Sequence, residues 1–316
     1  MNPLSAIFGA GVAMRNALYD RRVFQVKQLA RPVVSIGNIS VGGSGKTPFV
    51  IALGQLLSEQ GISFDVLSRG YGRSSTAIAV VNPNGPPAQF GDEPLLIARK
   101  LQAPVIVGAD RYRAGLLAED KFSSKLHLLD DGFQHRRLHR DFDIVLLPAD
   151  DQAGSLLPTG RLREPLAALK RADAVVLFDS QAHPAGAKCV WHATRVIEHP
   201  AAAGKTIVFS GIARPRQFLD GLKSSGMEIA GVLTFRDHHR YDQRDIERLL
   251  ALRKQTGADG FITTEKDLIN LGLLSSQLSP LLVAGLRIEI ESAQQVVIEM
   301  IKTIEQRSGH QIQSPA

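Results

Sequence analysis

Short, nearly unbroken apolar runs alternate with helix-length amphipathic segments through the first half of the chain: PVVSIGNI, SFDVLSRG, PVIVGAD, KLHLLDDG, DFDIVLLPA and DAVVLFDS. Strands apolar on both faces and separated by helices predict a parallel sheet covered on both sides, an α/β architecture. Near residues 180–200 the texture changes to SQAHPAGAKCVWHATRVIEHP, where Pro and Gly precede a short alternating run over 188–197. This predicts a linker carrying a hairpin-like strand. Beyond it GKTIVFSGI, EIAGVLTF, DGFITTEKD and PLLVAGLRIEI again predict strands, interleaved with helical RPRQFLDGLKSSG and DQRDIERLLALRKQTG. Val296, Val297, Met300, Ile301 and Ile304 recur at helical spacing, so a helix is expected to close the chain. The expected organisation is one α/β lobe over residues 1–185 and, over 186–316, a β linker with a smaller Rossmann-like α/β lobe.

The segment after the first strand carries the clearest chemistry. Residues 40–47 read SVGGSGKT, a Walker A loop whose opening glycine is replaced by Ser40, placed between a strand and a helix as the motif requires. Such a P-loop cradles phosphates with backbone N–H groups, here from Ser40, Val41, Gly42, Gly43, Ser44 and Gly45, at the positive end of the following helix. Lys46 is expected at the β/γ-phosphates and Thr47 on Mg²⁺ through its hydroxyl. A second GKT, ending HPAAAGKT at Thr206, lacks the glycines and precedes a strand, so it is a decoy. The acid that a P-loop enzyme needs at a neighbouring strand end is supplied by Asp130 and Asp131 of KLHLLDDG, which resembles Walker B and makes both candidates for the metal. No NKxD is present; TEKD at residues 264–267 has Lys and Asp adjacent, so guanine specificity is unsupported. ParA-like ATPases share GGSGKT but carry a lysine where Val41 stands.

Composition narrows the partners. With 44% hydrophobic and 22% charged residues in 316, the chain is long enough for two lobes and is neither disordered nor fibrous. Cys189 is the single cysteine, which excludes an internal disulfide and any multi-cysteine metal site and suits a reducing compartment. A net charge of +6 points to an anionic partner: nucleic acid, a phosphate-bearing molecule or an acidic membrane surface. Residues 4–14, LSAIFGAGVAM, are too short to span a bilayer, which takes ~20 residues. Arg15, Arg21, Arg22, Lys27 and Arg31 follow, opposed only by Asp20, so the segment fits either a helix lying on an anionic leaflet or an ordinary first helix packed on the core.

The motifs GNISVGGSGKTP, SRGYGR, GDEP, DRYRAG, LDDGFQHRRLHRDFDIVLLPA, GRLREP, FRDHHRY and TTEKD follow one another over residues 32–267. In this order they resemble the tetraacyldisaccharide 4'-kinase family, the lipid A 4'-kinases of Gram-negative bacteria, which also place a hydroxyl residue at the position of Ser40. The resemblance implies a P-loop lobe and a smaller lobe joined by a short β linker. It implies ATP and Mg²⁺ as cofactors and transfer of the γ-phosphate to the 4'-hydroxyl of an acylated glucosamine disaccharide 1-phosphate, forming lipid IVA. A peripheral location on the cytoplasmic, anionic face of the inner membrane is implied as well. By the same resemblance Asp92 is the catalytic base in a dyad with His238, and Arg163 and Glu164 join Lys46 in the catalytic set. Arg69, Tyr71, Arg111 and Gln134 are then expected toward the substrate. Taken alone, Asp92 ahead of Glu93 and Pro94 fits a helix N-cap, and His238 a surface-loop histidine; adjacent His238 and His239 would diverge and make a poor metal site. Two rival functions remain: a soluble P-loop ATPase or ligase-like enzyme with a small polar substrate, and a basic nucleic-acid-binding module. The second lacks a recognised motif and aromatics for base stacking, so no nucleic-acid partner is expected, and the chain is expected to be a monomer.

Overall fold

A computed structural model describes residues 2–178, 183–201 and 204–312. Asp179 and Ser180, the end of the DAVVLFDS run, lie outside the described residues, as do the linker start at 180–182 and two alanines of the second GKT copy. In chain order the strands are β1 (Val33–Asn38), β2 (Phe64–Ser68), β3 (Ala79–Val80), β4 (Val105–Val107), β5 (Leu126–Asp130), β6 (Phe142–Leu147), β7 (Ala174–Phe178), β8 (Val190–Glu198), β9 (Thr206–Ser210), β10 (Ile229–Thr234), β11 (Gly260–Thr264) and β12 (Leu281–Ile290). The helices are α1 (Pro3–Asp20), α2 (Lys46–Glu59), α3 (Pro87–Phe90), α4 (Asp92–Lys100), α5 (Arg111–Lys121), α6 (Ala149–Gln152), α7 (Pro215–Ser224), α8 (Gln243–Thr256), α9 (Glu265–Leu271) and α10 (Ala293–Ser308).

The strands form one sheet in the order β10-β9-β11-β12-β8-β7-β6-β1-β5-β2-β4-β3. Pairing is parallel except at β3 with β4 and at β12 with β8. Every residue of β1, β2, β5, β6 and β7 is buried, as their unbroken apolar runs demand of strands covered on both faces. On one face Phe49, Val50 and Leu53 of α2 and Leu95 and Ile97 of α4 pack against Val34, Ile36 and Leu128. Ala114 and Ala118 of α5 cover the other face with Leu29, Leu67 and Leu129. The C-terminal flank repeats the pattern, with Ile246 and Leu249 of α8 on Phe209 and Phe261, and Phe218 and Leu222 of α7 on Val208 and Ile262.

β8 joins the flanks. It runs parallel to β7 on one side and antiparallel to β12 on the other, so the sheet continues unbroken past the boundary expected at 185/186. Because β12 brings the chain back beside β8, the closing helix is delivered to the N-terminal flank. There Val296, Val297, Met300, Ile301 and Ile304 of α10 share a core with Val50, Leu53 and Leu146, outside the smaller lobe in which the sequence placed them. The helix itself is where its periodicity put it.

Register positions the chemistry. β1 lies between β5 and β6, and Ile36 is level with Asp130 on one side and Ile144 on the other. The loop leaving β1 and the acids ending β5 therefore meet at one edge, the carboxyl ends of parallel strands where open α/β sheets bind ligands.

Candidate active site

Backbone geometry shapes the loop first. Gly42 and Gly45 have φ of 84° and 88°, left-handed conformations that suit glycine, and Gly45 caps α2 directly ahead of Lys46 and Thr47. The unpaired amides and positive dipole end of α2 thus face the loop, a ready anion site. Ser40 is buried and donates to Asp151 Oδ2 at 2.5 Å. Val41 is half-exposed and exchanges hydrogen bonds with Arg161, while the Ser44 carbonyl accepts from Arg195 of β8 at 3.3 Å.

Lys46 Nζ lies 3.5 Å from Asp131 Oδ1 and donates to Asn38 Oδ1 at 3.3 Å. Arg163 clamps the same aspartate with two bonds of 2.9 and 3.3 Å and also donates to Asn38 Oδ1. Burial alone would raise the Asp131 pKa, but Lys46 and Arg163 outweigh it and hold the carboxyl well below its usual range. Asp130 goes the other way. It is buried, pressed by Glu93 and Asp131 and pushed up to about 7, despite Lys46 and the Ser68 hydroxyl at 2.9 Å. Its Oδ1 is a buried oxygen with no hydrogen-bond partner.

That orphaned oxygen and a second carboxylate, at the same sheet edge as the start of α2 where Thr47 brings its hydroxyl, make a hard-oxygen donor set that fits Mg²⁺. Among the described residues no group of three or more His, Cys, Asp or Glu forms an all-protein metal cage. Mg²⁺ held by one or two carboxylates together with substrate phosphates needs none.

Across the cleft the dyad is assembled. Asp92, 5% exposed, opens α4 on the N-terminal flank, and His238, in the loop after β10, sits at a strained φ of 59°. His238 Nδ1 donates to Asp92 at 2.9 Å, and Asn270 of α9 donates to the same oxygen at 3.1 Å. Lys266 Nζ lies 3.3 Å from His238 Nε2, 3.5 Å from Glu93 and 3.9 Å from Asp92. Burial would raise the Asp92 pKa, but His238 and Lys266 lower it on balance; burial would lower that of His238, and the Asp92 hydrogen bond turns it upward. His239 diverges, as expected, to Asp245 Oδ2 at 2.7 Å.

The other expected residues divide. Tyr71, 63% exposed, has its ring centre 5.1 Å from that of His238, and Gly72 beside it accepts from Arg240 at 2.8 Å. Arg111 is buried, its pKa lowered first by burial and then by the charge of Arg69, while Asp130 and Asp131 counter the shift; Arg69 is exposed at the end of β2. Gln134 donates to the Asn38 carbonyl at 2.8 Å through its amide nitrogen, bracing the end of β1, while its amide oxygen has no partner. Glu164 does not join the cluster. Its carboxylate is fully buried between Arg171 at 2.6 Å, Asn16 at 2.9 Å and Arg15 at 3.6 Å, where it fastens α1. Sequence reasoning missed Asn38, Glu93, Lys266 and Asn270. Asn38, Glu93 and Lys266 stood inside quoted motifs, GNIS, GDEP and TTEKD; Asn270 gave no signal.

Comparison with known proteins identifies the family and the fold. The family model for tetraacyldisaccharide-1-P 4'-kinase matches residues 1–305. The tetraacyldisaccharide 4'-kinase of Koribacter versatilis is 52% identical over 322 residues, 98% of this chain and 100% of its own length. The protein of that name from Aquifex aeolicus is 38% identical over 289 residues, 85% of this chain and 88% of its own. A crystal structure of LpxK from Aquifex aeolicus in complex with ATP superposes with a TM-score of 0.77 at 33% identity, covering 96% of this chain and 98% of that one. With a family model across nearly its whole length and a relative sharing half its residues, this chain belongs to the tetraacyldisaccharide 4'-kinase family.

Proposed function

We propose that the chain is an ATP- and Mg²⁺-dependent kinase that transfers the γ-phosphate of ATP to the 4'-hydroxyl of a tetraacyldisaccharide 1-phosphate, a step of lipid A biosynthesis. The observation that carries the reading is a hydrogen-bonded carboxylate–imidazole pair, Asp92 and His238, facing a phosphate loop whose lysine and Arg163 converge on Asp131. Phosphoryl transfer asks little covalent chemistry of the protein; positioning and neutralisation of charge dominate. Loop amides and Lys46 hold the β/γ-phosphates, and Arg163 offsets the charge that spreads over the transferred group. Asp92 takes the proton of the 4'-hydroxyl as the new sugar O–P bond forms and the bond from the γ-phosphorus to the bridging oxygen breaks, releasing ADP. His238 and Asn270 hold the Asp92 carboxylate in place. Thr47, Asp130 and Asp131 would hold Mg²⁺, which neutralises phosphate charge when bound. Arg69, Tyr71 and Arg111 are the substrate-facing groups, and the chain acts as a monomer of two lobes closing on β8, the first completed by α10.

The substrate is a lipid, and α1 suits it. Leu4, Ile7 and Met14 are 59%, 70% and 66% exposed, Val23, Phe24 and Val26 are exposed beyond the end of the helix, and basic residues are spread over 15–31. No described helix is long and apolar enough to cross a membrane. We therefore place the protein as a peripheral enzyme on the anionic cytoplasmic leaflet of the inner membrane, anchored through α1. The test is transfer of ³²P from γ-labelled ATP to the disaccharide 1-phosphate in mixed micelles: labelled bisphosphate is expected, and ATP hydrolysis without lipid product would contradict the reading.

A further inference from the structure

The serine that replaces the Walker A glycine is fully buried, and its hydroxyl is hydrogen-bonded on two sides. Ser40 Oγ donates to Asp151 Oδ2 at 2.5 Å and accepts from Asn38 Nδ2 at 3.3 Å, and Asn38 in turn binds Lys46. Asp151, 1% exposed in α6, meets Arg214 from the opposite flank in an ion pair of 3.6 Å, while Arg214 reaches Asp150 at 3.3 Å. The same segment packs on the loop itself: a Cβ built on Gly43 would stand 3.2 Å from Ala213 Cβ and 3.3 Å from Arg214 Cγ. One segment ahead of α7 thus touches the phosphate loop twice, by packing at Gly43 and by charge through Asp151 to Ser40.

We propose that Arg214, Asp151 and Ser40 form a positioning relay by which the C-terminal flank sets the phosphate loop and hence ATP affinity. A buried carboxylate is stable only while paired and hydrogen-bonded. Asp151 therefore holds Ser40 in place only while Arg214 is docked, and Ser40, through Asn38, fixes the side chain that orients Lys46. The relay gives the missing glycine a reason: a Gly at position 40 would leave Asp151 without its partner on the loop. None of the three touches the reacting atoms, so their effect falls on nucleotide binding more than on the chemical step. The proposal rests on the ATP-dependent reading above.

The test is a double-mutant cycle on the full chain, read as the Kd for Mg-ATP by displacement of a fluorescent ATP analogue, with kcat at saturating ATP measured alongside. Ser40→Ala and Arg214→Met, which keeps the stem and removes the charge, should each weaken binding about tenfold, and the double variant no more than about twofold beyond the weaker single, because both break one path. Arg214→Lys should stay near wild type, and kcat should change less than the Kd. Ser40→Gly, which restores the consensus glycine, should behave like Ser40→Ala. Independent effects that multiply in the double variant, or single variants that bind as wild type does, would overturn the relay; if Arg214→Met does not fold, Arg214→Gln takes its place in the same cycle. Failure of the wild type to bind ATP would overturn the kinase reading itself and the relay with it.

Discussion

The two halves of the site are built differently. The phosphate-loop cluster of Lys46, Asp131, Arg163 and Asn38 comes wholly from the N-terminal flank, on adjacent parallel strands and the turns that follow them. The dyad cluster is divided: Asp92 and Glu93 lie on one flank, His238, Lys266 and Asn270 on the other, and the bonds between Asp92 and its partners span 146 to 178 residues of chain. A cluster fixed by one rigid sheet edge keeps its own members together whether or not the flanks are closed, with only its loop adjusted from the other flank by Arg214. A cluster split across a cleft is complete only when they are closed, so the first should govern nucleotide binding and the second the timing of chemistry.

Variants can break that division of labour. Lys46→Ala should cost most, about 10³-fold in kcat, with ATP binding lost as well, because one group serves both binding and charge stabilisation; nucleotide displacement and lipid phosphorylation measure the two. His238→Ala should cost about 10²-fold in kcat while leaving the Kd for ATP unchanged, since Asp92 keeps its carboxylate but loses the donor that orients it. Lys266→Met should cost about tenfold, again in kcat alone, through misplacement of the dyad.

Acid–base behaviour sharpens the same contrast. The His238 pKa is raised, so its contribution to closure is fully present below the ordinary value of about 6.5 and is lost as pH rises through the raised value. The Asp92 pKa is lowered, so its contribution is present above about 4 and is lost as pH falls through the depressed value. Cross-cleft attraction is therefore strongest between the two. Proton NMR titration of the His238 ring should show a midpoint above 6.5, moved down by Asp92→Asn and up by Lys266→Met, because Lys266 opposes its protonation. An Asp92→Asn variant with an unmoved midpoint would break the pairing.

The same difference explains what was legible in the sequence. A P-loop, a strand and an acid pair are local patterns with fixed spacing, so Lys46 and Asp131 of the first cluster could be read from residues 33–57 and 125–131 alone, whereas Arg163 came by resemblance and Asn38 was missed. Partnership across a cleft has no local signature: Asp92 reads as a helix start, and it was resemblance to a family that joined it to His238. TTEKD served to reject guanine specificity and to mark the family, but its lysine was given no role, although it sits between the dyad and Glu93. Glu164 shows the opposite case, since a charged residue beside Arg163 in a motif was expected in the catalytic set by resemblance and in this structure anchors α1. The final helices carry the same lesson in packing. Periodicity found the apolar stripe of α10 but not its partner, which is the N-terminal flank because β12 returns the chain there. In α1 the apolar side chains at 4, 7 and 14 stay exposed, and the helix is held by Ser5, Asn16 and Asp20 through hydrogen bonds and an ion pair.

The most direct test of a site completed across the cleft is Asp92→Asn, assayed in one preparation for ATP binding and for single-turnover transfer to the disaccharide 1-phosphate. The substitution keeps the size of the side chain and removes its basicity. We predict an unchanged Kd for ATP and a transfer rate reduced by about 10²–10⁴-fold. Transfer at the wild-type rate would contradict the assignment of Asp92 as the base, and with it the claim that chemistry waits on the joining of the two flanks.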